Sequence, residues 1–165
     1  MTFPNPLAAD DPLNAATLNP IFNALYSGAT AENGIYTASF YPDEVAIVNG
    51  NDISLTLHGT LDEIYGHQDT SAINDEWEHG AYLSANAYTL RIRVIKTSAS
   101  GILKLYIDDV LEATIDLYAA ADAVSWQQAA FIIGTSKWHT ITGLVDSKNP
   151  SSSGYDANWI KMNIR

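Results

Sequence analysis

The sequence contains no cysteine, and its first ninety residues contain neither lysine nor arginine. Without thiols the 165-residue chain has no disulfides and no thiolate metal sites. Residues 1–90 carry twelve acidic residues, whereas residues 91–165 carry seven acidic and eight basic ones, within a net charge of −11. An acidic half of this kind cannot hold a phosphate backbone by counterion release, so we expect no nucleic-acid partner. We assign the acidity to solubility, with docking on a basic partner as the alternative.

Long apolar runs and targeting signals are missing as well. No stretch of about 18 apolar residues is present, so the sequence predicts no membrane-spanning helix. The start, Met1 to Pro6, lacks a basic region followed by an apolar one, so no secretory signal is predicted. An apolar fraction of 47% and a charged fraction of 16% are instead typical of a folded domain.

Motifs of catalysis are also absent. The sequence has no GxSxG nucleophile elbow, no P-loop and no dinucleotide fingerprint. A glycosidase needs two opposed carboxylates at a controlled separation, and no pair among the acidic residues is marked for that role. We therefore predict that the protein is not an enzyme, and a glycan hydrolase is the weakest of the hypotheses.

From Ile35 onward the pattern predicts β-strands. Alternation is clear where Tyr88, Leu90, Ile92 and Val94 would face inward with the intervening arginines outward. The same alternation places further residues inward: Leu103, Leu105 and Ile107, and then Leu111, Ala113, Ile115 and Leu117. Asn49-Gly50, Asp108-Asp109 and the serine-rich stretch 150–154 are typical of turns. Short strands without long helices indicate an all-β antiparallel sandwich. The predicted strands are 35–41, 44–49, 52–57, 81–83, 87–96, 102–108, 110–118, 129–133, 137–145 and 157–164.

Residues 58–80 are predicted to be a long polar, acidic loop, of the kind that is usually functional or docked to a partner. Six side chains in it have oxygen or imidazole groups that could bind a cation. Because no EF-hand or HExxH spacing supports a site, we expect a solvated loop and predict no metal or cofactor. If a cation binds, a structural Ca²⁺ fits the carboxylates best. The six are His67, Asp69, Asp75, Glu76, Glu78 and His79.

Residues 87–165 resemble jelly-roll, carbohydrate-binding-module-like domains. The matching pieces are the Gly101–Val110 segment, the Thr114–Tyr118 segment, Trp126-Gln127-Gln128, and a closing hairpin. That hairpin runs from Lys137-Trp138-His139-Thr140 through Lys148-Asn149-Pro150 to a final strand at 157–164. The resemblance implies a jelly-roll fold and a binding or structural role.

Residues 1–34 differ from the rest and predict an extended arm followed by one short helix. Four of the six prolines lie in the first twenty residues, which favours extended backbone. Thr17 is a good N-cap, Pro20 suits the first turn, and Gly28 is a natural stop. The segment from Asn5 to Leu25 resembles the start of tailed-phage fibre, decoration and baseplate accessory proteins. We therefore divide the chain into a docking arm, 1–34, and a jelly-roll sandwich, 35–165.

Two functional hypotheses follow from these resemblances. In the first, the protein is a phage virion structural protein, a capsid decoration, cement or fibre component assembled in the host cytoplasm. Its partners would be capsid or tail proteins, and we expect a homo-oligomer, with a trimer as our guess. The arm would dock through apolar side chains that cannot be buried within so short a helix alone. These are Phe3, Leu7, Leu18, Phe22 and Leu25.

The second hypothesis is a glycan-binding module for attachment to a host surface. Aromatic rings on half-exposed surfaces suit the apolar faces of sugars. Trp77, Tyr82 and Trp126 are predicted to lie in or beside loops, which makes them the candidates for glycan binding. Trp138 and Trp159 fall in strongly alternating strands, and we predict that both pack in the core or in the hairpin.

Overall fold

The computed structural model describes residues 30–32, 35–50, 52–68 and 73–165. Within these ranges the chain forms twelve strands and a short 3-10 turn at Pro42–Glu44. No helix in this part of the chain is long and apolar enough to cross a bilayer. The strands are β1 (Thr30–Glu32), β2 (Ile35–Phe40), β3 (Ala46–Asn49), β4 (Ser54–Leu57), β5 (Ile64–Gln68), β6 (Glu76–Leu83), β7 (Asn86–Lys96), β8 (Gly101–Ile107), β9 (Val110–Asp116), β10 (Ala123–Ile133), β11 (Lys137–Lys148) and β12 (Ala157–Ile164).

These strands form two antiparallel sheets. The first, of five strands, has the order β3-β6-β11-β8-β9. The second has seven strands, in which β12 pairs with β7 on one side, and β10 flanks β7. On the other side of β12, its first half pairs with β5 and its last residues pair with β2, while β4 and β1 form the edges. The predicted all-β antiparallel sandwich is therefore confirmed.

The core lies between the two sheets and is filled by alternate side chains of the central strands. In β7 and β8 the predicted phase is confirmed, since Tyr88 to Val94 and Leu103 to Ile107 bury every second side chain. A bulge in β12 between Trp159 and Lys161 shifts the phase, so Trp159 and Met162 both face inward. Side chains of the opposite phase point outward and form the two outer faces of the sandwich.

The predicted loop 58–80 is wrong in part, because it contains β5 and most of β6. Inward positions on β6 are taken by Trp77, His79, Ala81 and Leu83, while Glu76 and Glu78 point outward. The polar His79 and the intervening glutamates hid the alternation. The predicted strand 129–133 is likewise only the end of the longer β10.

The hairpin between β8 and β9 has the predicted turn at Asp108 and Asp109. Both residues have positive φ, 47° and 66°, as the commonest two-residue hairpin turn requires. A register shift between Leu105 and Tyr106 disturbs β9 just after this turn. As a result Leu111, predicted to face inward, is 48% exposed.

The five proposed docking residues, Phe3, Leu7, Leu18, Phe22 and Leu25, and the predicted short helix lie outside the described residues. Of the predicted arm, residues 30–32 are described, and as β1 they pair with β2. The division at residue 34 and the docking role stay predictions.

Candidate functional site

Trp77, a predicted glycan-binding residue, is buried between the sheets. It is 1% exposed, its ring stacks on Trp159 at 5.0 Å between centroids, and Phe40 meets it edge-on. The indole rests on Gly143 of β11, where a Cβ would collide with the ring. Trp77 therefore lies within strand β6, and the expectation that it lies in or beside a loop is wrong. Its buried ring has no face open to a sugar. Trp159 is a core residue, as predicted.

Trp138 faces solvent on the outer face of the five-stranded sheet, so of the two predicted alternatives, packing in the core or in the hairpin, the first is wrong. On β11 the residues of the other phase, His139 and Ile141, are the buried ones, which turns Trp138 outward. The indole is 41% exposed and covers Gly80, with ring atoms 3.8 Å from where a Cβ would lie. A larger side chain at that position would lift the ring off the sheet.

Tyr82 is the cross-strand partner of Trp138 on β6 and lies one residue before the end of that strand, within the predicted strand 81–83. The two rings meet edge-on, with centroids 6.3 Å apart and an interplanar angle of 79°. Such a T-shaped contact holds the indole in place while one of its faces remains open. The pair forms an aromatic platform at one end of the outer face.

Polar side chains continue this face along β11. A cavity of about 210 Å³ is lined by Glu76, Tyr106, Asp109, Thr142 and Leu144. Register explains why they meet, since Thr142 lies between Glu78 of β6 and Tyr106 of β8. We call the surface formed by Tyr82, Trp138 and these cavity residues the Trp138 face.

Trp126 occupies the outer face of the opposite, seven-stranded sheet. It sits in the middle of β10, not beside a loop, and is 43% exposed. The Arg91 guanidinium of neighbouring β7 lies over its ring, 4.7 Å from the centroid. Arg93 is the cross-strand partner of both Trp126 and Lys161. We call the surface formed by Trp126, Arg91, Arg93 and Lys161 the Trp126 face.

A charged cluster fixes the start of β11. Asp108 accepts hydrogen bonds from Lys137 Nζ (2.7 Å) and from the Thr140 backbone N–H (3.0 Å), and its Oδ2 lies 2.9 Å from His139 Nδ1. Burial acts to raise the pKa of Asp108, but the hydrogen bonds from Lys137, Thr140 and His139 outweigh it and hold the pKa below its usual range.

This Asp–His pair is structural. The remaining ring nitrogen of His139, Nε2, lies 3.1 Å from the Thr135 carbonyl oxygen, so it faces an acceptor. A nucleophilic hydroxyl would have to occupy that position for the imidazole to act as its base. The cluster therefore anchors β11 and does not form a catalytic pair.

The predicted cation-binding side chains do not converge. Glu76 and Glu78 point outward from β6, whereas His79 points inward, stacks on Phe40 at 4.0 Å and places Nδ1 3.0 Å from the Glu44 carbonyl. No group of three metal-ligand side chains gathers within the described residues, so these do not fit a Ca²⁺ site. The side chains of His67 and Asp69 lie outside the description. A structural Ca²⁺ stays a prediction.

The sequence did not identify Trp138 as an exposed residue, although it is the more exposed ring of the aromatic platform that it forms with Tyr82. Trp138 alternates with Thr140 and Thr142 but also with Leu144, while Ile141 and Val145 hold the other phase, so the alternation of β11 does not say which phase is buried. Reasoning did predict that both β7 arginines face outward, and this is confirmed. That Trp126 would lie beside them depends on the β7–β10 pairing, which the sequence pattern does not reveal.

Comparison by sequence finds no matching family model and no matching curated protein. Solved structures do match. A Paenibacillus xanthan lyase aligns with 75% of the chain at 16% identity and a TM-score of 0.59, and the chain spans 12% of that enzyme's length. The CBM36-1 domain of a xylanase from a termite (Trinervitermes trinervoides) hindgut metagenome aligns over 78% of the chain and 96% of the domain, at 15% identity and a TM-score of 0.56.

A third match is a carbohydrate-binding module CBM36 solved with calcium and xylotriose, over 78% of the chain and 99% of the module, at 12% identity and a TM-score of 0.55. None of the three is a virion protein, so the virion role, the phage partners and the trimer gain no support. At these identities the likeness concerns the fold. The chain has the predicted jelly-roll sandwich, in the form found in carbohydrate-binding modules.

Proposed function

We propose that the protein is a non-catalytic glycan-binding module that holds an uncharged saccharide chain on the Trp138 face. The observation that carries the proposal is the placement of Trp138. Its indole lies over Gly80, contacts Tyr82 edge-on, and keeps 41% of its surface exposed. A large apolar ring kept open to solvent on a strand face is the arrangement that stacks on the C–H face of a pyranose.

The polar part of the Trp138 face supplies the groups that would fix the orientation of a sugar. Hydroxyls of Tyr106 and Thr142 and carboxylates of Glu76 and Asp109 line the cavity farther along β11. Alternate residues on a strand are spaced by about 7 Å, so Trp138 and Thr142 are separated by about 14 Å. That span accommodates a short oligosaccharide, with one ring on the indole and the following hydroxyls over the cavity.

The choice of an uncharged ligand rests on the charge of this face. Glu76, Glu78 and Asp109 all lie on it, and a uronate or sulfate would be repelled by them. Carboxylates are instead good acceptors for sugar hydroxyls. Because the CBM36 match was solved with xylotriose, xylo-oligosaccharides are the first probe, followed by manno- and gluco-oligosaccharides.

Calorimetric titration of the full chain with these oligosaccharides tests the proposal. We expect Trp138→Ala to weaken binding at least about tenfold, a loss of about 1.4 kcal/mol. Trp126→Ala is the matched comparison, because it removes the same exposed side chain from the opposite sheet. The proposal is wrong if the folded wild-type protein binds none of these saccharides. It is also wrong if Trp126→Ala abolishes binding that Trp138→Ala leaves intact.

A further inference from the structure

Three of the eight lysines and arginines lie side by side on the Trp126 face. Arg91 and Arg93 point outward from β7 two residues apart, and Lys161 of β12 is the cross-strand partner of Arg93. Alternate residues on a strand are spaced by about 7 Å and paired strands by about 5 Å, so the three positively charged side chains lie close together. In a chain of net charge −11 this grouping is a local reversal of sign.

Two of these cations have no carboxylate partner. Arg93 is bound by Glu63, but within the described part of the chain neither Arg91 nor Lys161 forms an ion pair. Each lies over an aromatic ring instead: Arg91 over Trp126 at 4.7 Å and Lys161 over Tyr41 at 5.2 Å. The Arg91 Nε is buried and has no hydrogen-bond partner among the described residues. Aromatic rings hold the two cations without neutralising them.

We propose that the Trp126 face is a second saccharide-binding surface, which takes polysaccharides bearing carboxylate or sulfate groups. The Arg91 guanidinium can donate paired hydrogen bonds to two oxygens of a planar carboxylate or of a tetrahedral sulfate. Trp126 lies beside it, with 43% of its surface open to a sugar ring. Lys161 supplies a second cation one strand farther along, for the charge on a following residue.

A single-stranded nucleic acid is the competing occupant, because it also offers anions and flat rings. The charge of the molecule disfavours it: nineteen acidic residues against eight basic ones repel a continuous phosphate chain from most directions. The fold favours a saccharide, because the solved structures that match this chain include a carbohydrate-binding module in complex with xylotriose.

The test is calorimetry of the full chain at low salt with four probes: polygalacturonate, dextran sulfate, uncharged dextran and single-stranded DNA. We expect binding to one or both anionic polysaccharides that is weakened by added salt, and no such salt-dependent binding to dextran. Polygalacturonate and dextran sulfate distinguish carboxylate from sulfate recognition. Tighter binding of DNA than of either anionic polysaccharide would overturn the proposal, as would absence of binding to both.

Variants locate the surface. Arg91→Gln is expected to weaken binding of the anionic polysaccharide about tenfold or more, the usual effect of losing a charge-assisted hydrogen bond. Lys161→Gln should weaken it less. Lys148→Gln is the matched control, since Lys148 also lies over a tyrosine, Tyr155, at 4.9 Å but outside this face. Equal losses for Lys148→Gln and Lys161→Gln would contradict a defined site.

Failure of this proposal and failure of the proposed function are separable. Trp138→Ala should leave binding of anionic polysaccharide intact, and Arg91→Gln should leave binding of uncharged oligosaccharide intact. Thermal unfolding of each variant shows that the fold is retained, so a lost signal can be assigned to the altered face.

Discussion

The two outer faces of the sandwich each expose one tryptophan, but they surround it with opposite charge. On the Trp138 face the neighbouring ionised groups include Glu76, Glu78 and Asp109. On the Trp126 face they are Arg91, Arg93 and Lys161, with Glu63 as the counter-ion of Arg93. The two tryptophans thus stand in surroundings of opposite charge, and the supporting core does not dictate the sign of either.

The reason lies in the alternation of strands. Inward positions such as Trp77, Leu90 and Trp159 must fit one another across the interior, whereas outward positions meet only their neighbours on one face. An outward side chain can change charge without disturbing the opposite sheet. Both faces nevertheless depend on one shared core, and this makes the comparison between them testable.

The largest effect is expected from Gly143→Ala, which adds a methyl group to the core that lies beneath both faces. The new methyl would overlap the Trp77 ring, which is sandwiched against Trp159 and cannot move aside. We expect the free energy of unfolding to fall by about 3 kcal/mol, at the upper end for overpacking, in urea denaturation. Binding on both faces should weaken together, because the strands that carry them lose their common support.

Gly134→Ala is the control, because a Cβ there meets nothing within 4 Å. Its unfolding free energy should stay within about 0.5 kcal/mol of the wild type. Equal stability of the Gly143→Ala and Gly134→Ala variants would mean that the Trp77 ring does not pack against Gly143 as described. Loss of binding on one face alone would mean that the two faces do not share a core.

Much of this architecture could be predicted from the sequence, since the alternation in β7 and β8 fixes both the strands and the buried side chains. Trp77 and Trp138 could not be assigned correctly, for opposite reasons. Trp77 lies among acidic residues that imply a loop, but those residues are the outward half of β6. Trp138 lies in an alternating strand, yet alternation alone does not say which of its two phases is buried.

The two candidate surfaces were less predictable than the fold, because each is assembled across strands distant in sequence. Tyr82 meets Trp138 through the β6–β11 pairing, and Arg91 meets Trp126 through the β7–β10 pairing. Such contacts depend on sheet order and register. A pattern of apolar and polar residues indicates that a side chain points outward, but not which outward side chains become neighbours.

An intermediate effect is expected from Asp108→Asn, which weakens the anchoring of β11 and should therefore affect only one of the two faces. Asparagine tolerates the positive φ at this turn, but it cannot pair with Lys137 and His139 as a carboxylate does. We expect a loss of about 1–3 kcal/mol in the free energy of unfolding at neutral pH. Binding on the Trp138 face should weaken, because β11 is anchored here, and binding on the Trp126 face should not.

The pH dependence of this variant has a definite sign. The folded-state pKa of Asp108 is lowered, so its ionised form stabilises the fold above the unfolded pKa, and this stabilisation is lost as the pH falls through the folded value. Wild type and variant should therefore converge in stability below about pH 4. Asp146→Asn, which breaks a single ion pair with Lys104 and not a cluster of three partners, is expected to cost less than Asp108→Asn. Equal costs for the two variants would show that the Asp108 cluster has no special role.

The smallest effect concerns Glu63, the acidic residue that pairs with Arg93 on the Trp126 face. Glu63→Gln should free Arg93 and tighten binding of an anionic polysaccharide about two- to fivefold, the range of an exposed ion pair, with the gain shrinking in salt. Binding of uncharged oligosaccharide should not change. Asp109→Asn alters net charge equally on the opposite sheet, so a similar gain there would mean that overall charge, not release of Arg93, sets the affinity. Weaker binding by Glu63→Gln would mean that Glu63 positions Arg93 for the ligand. The two faces would then differ in the sign of their charge and also in how their charged groups are held in place.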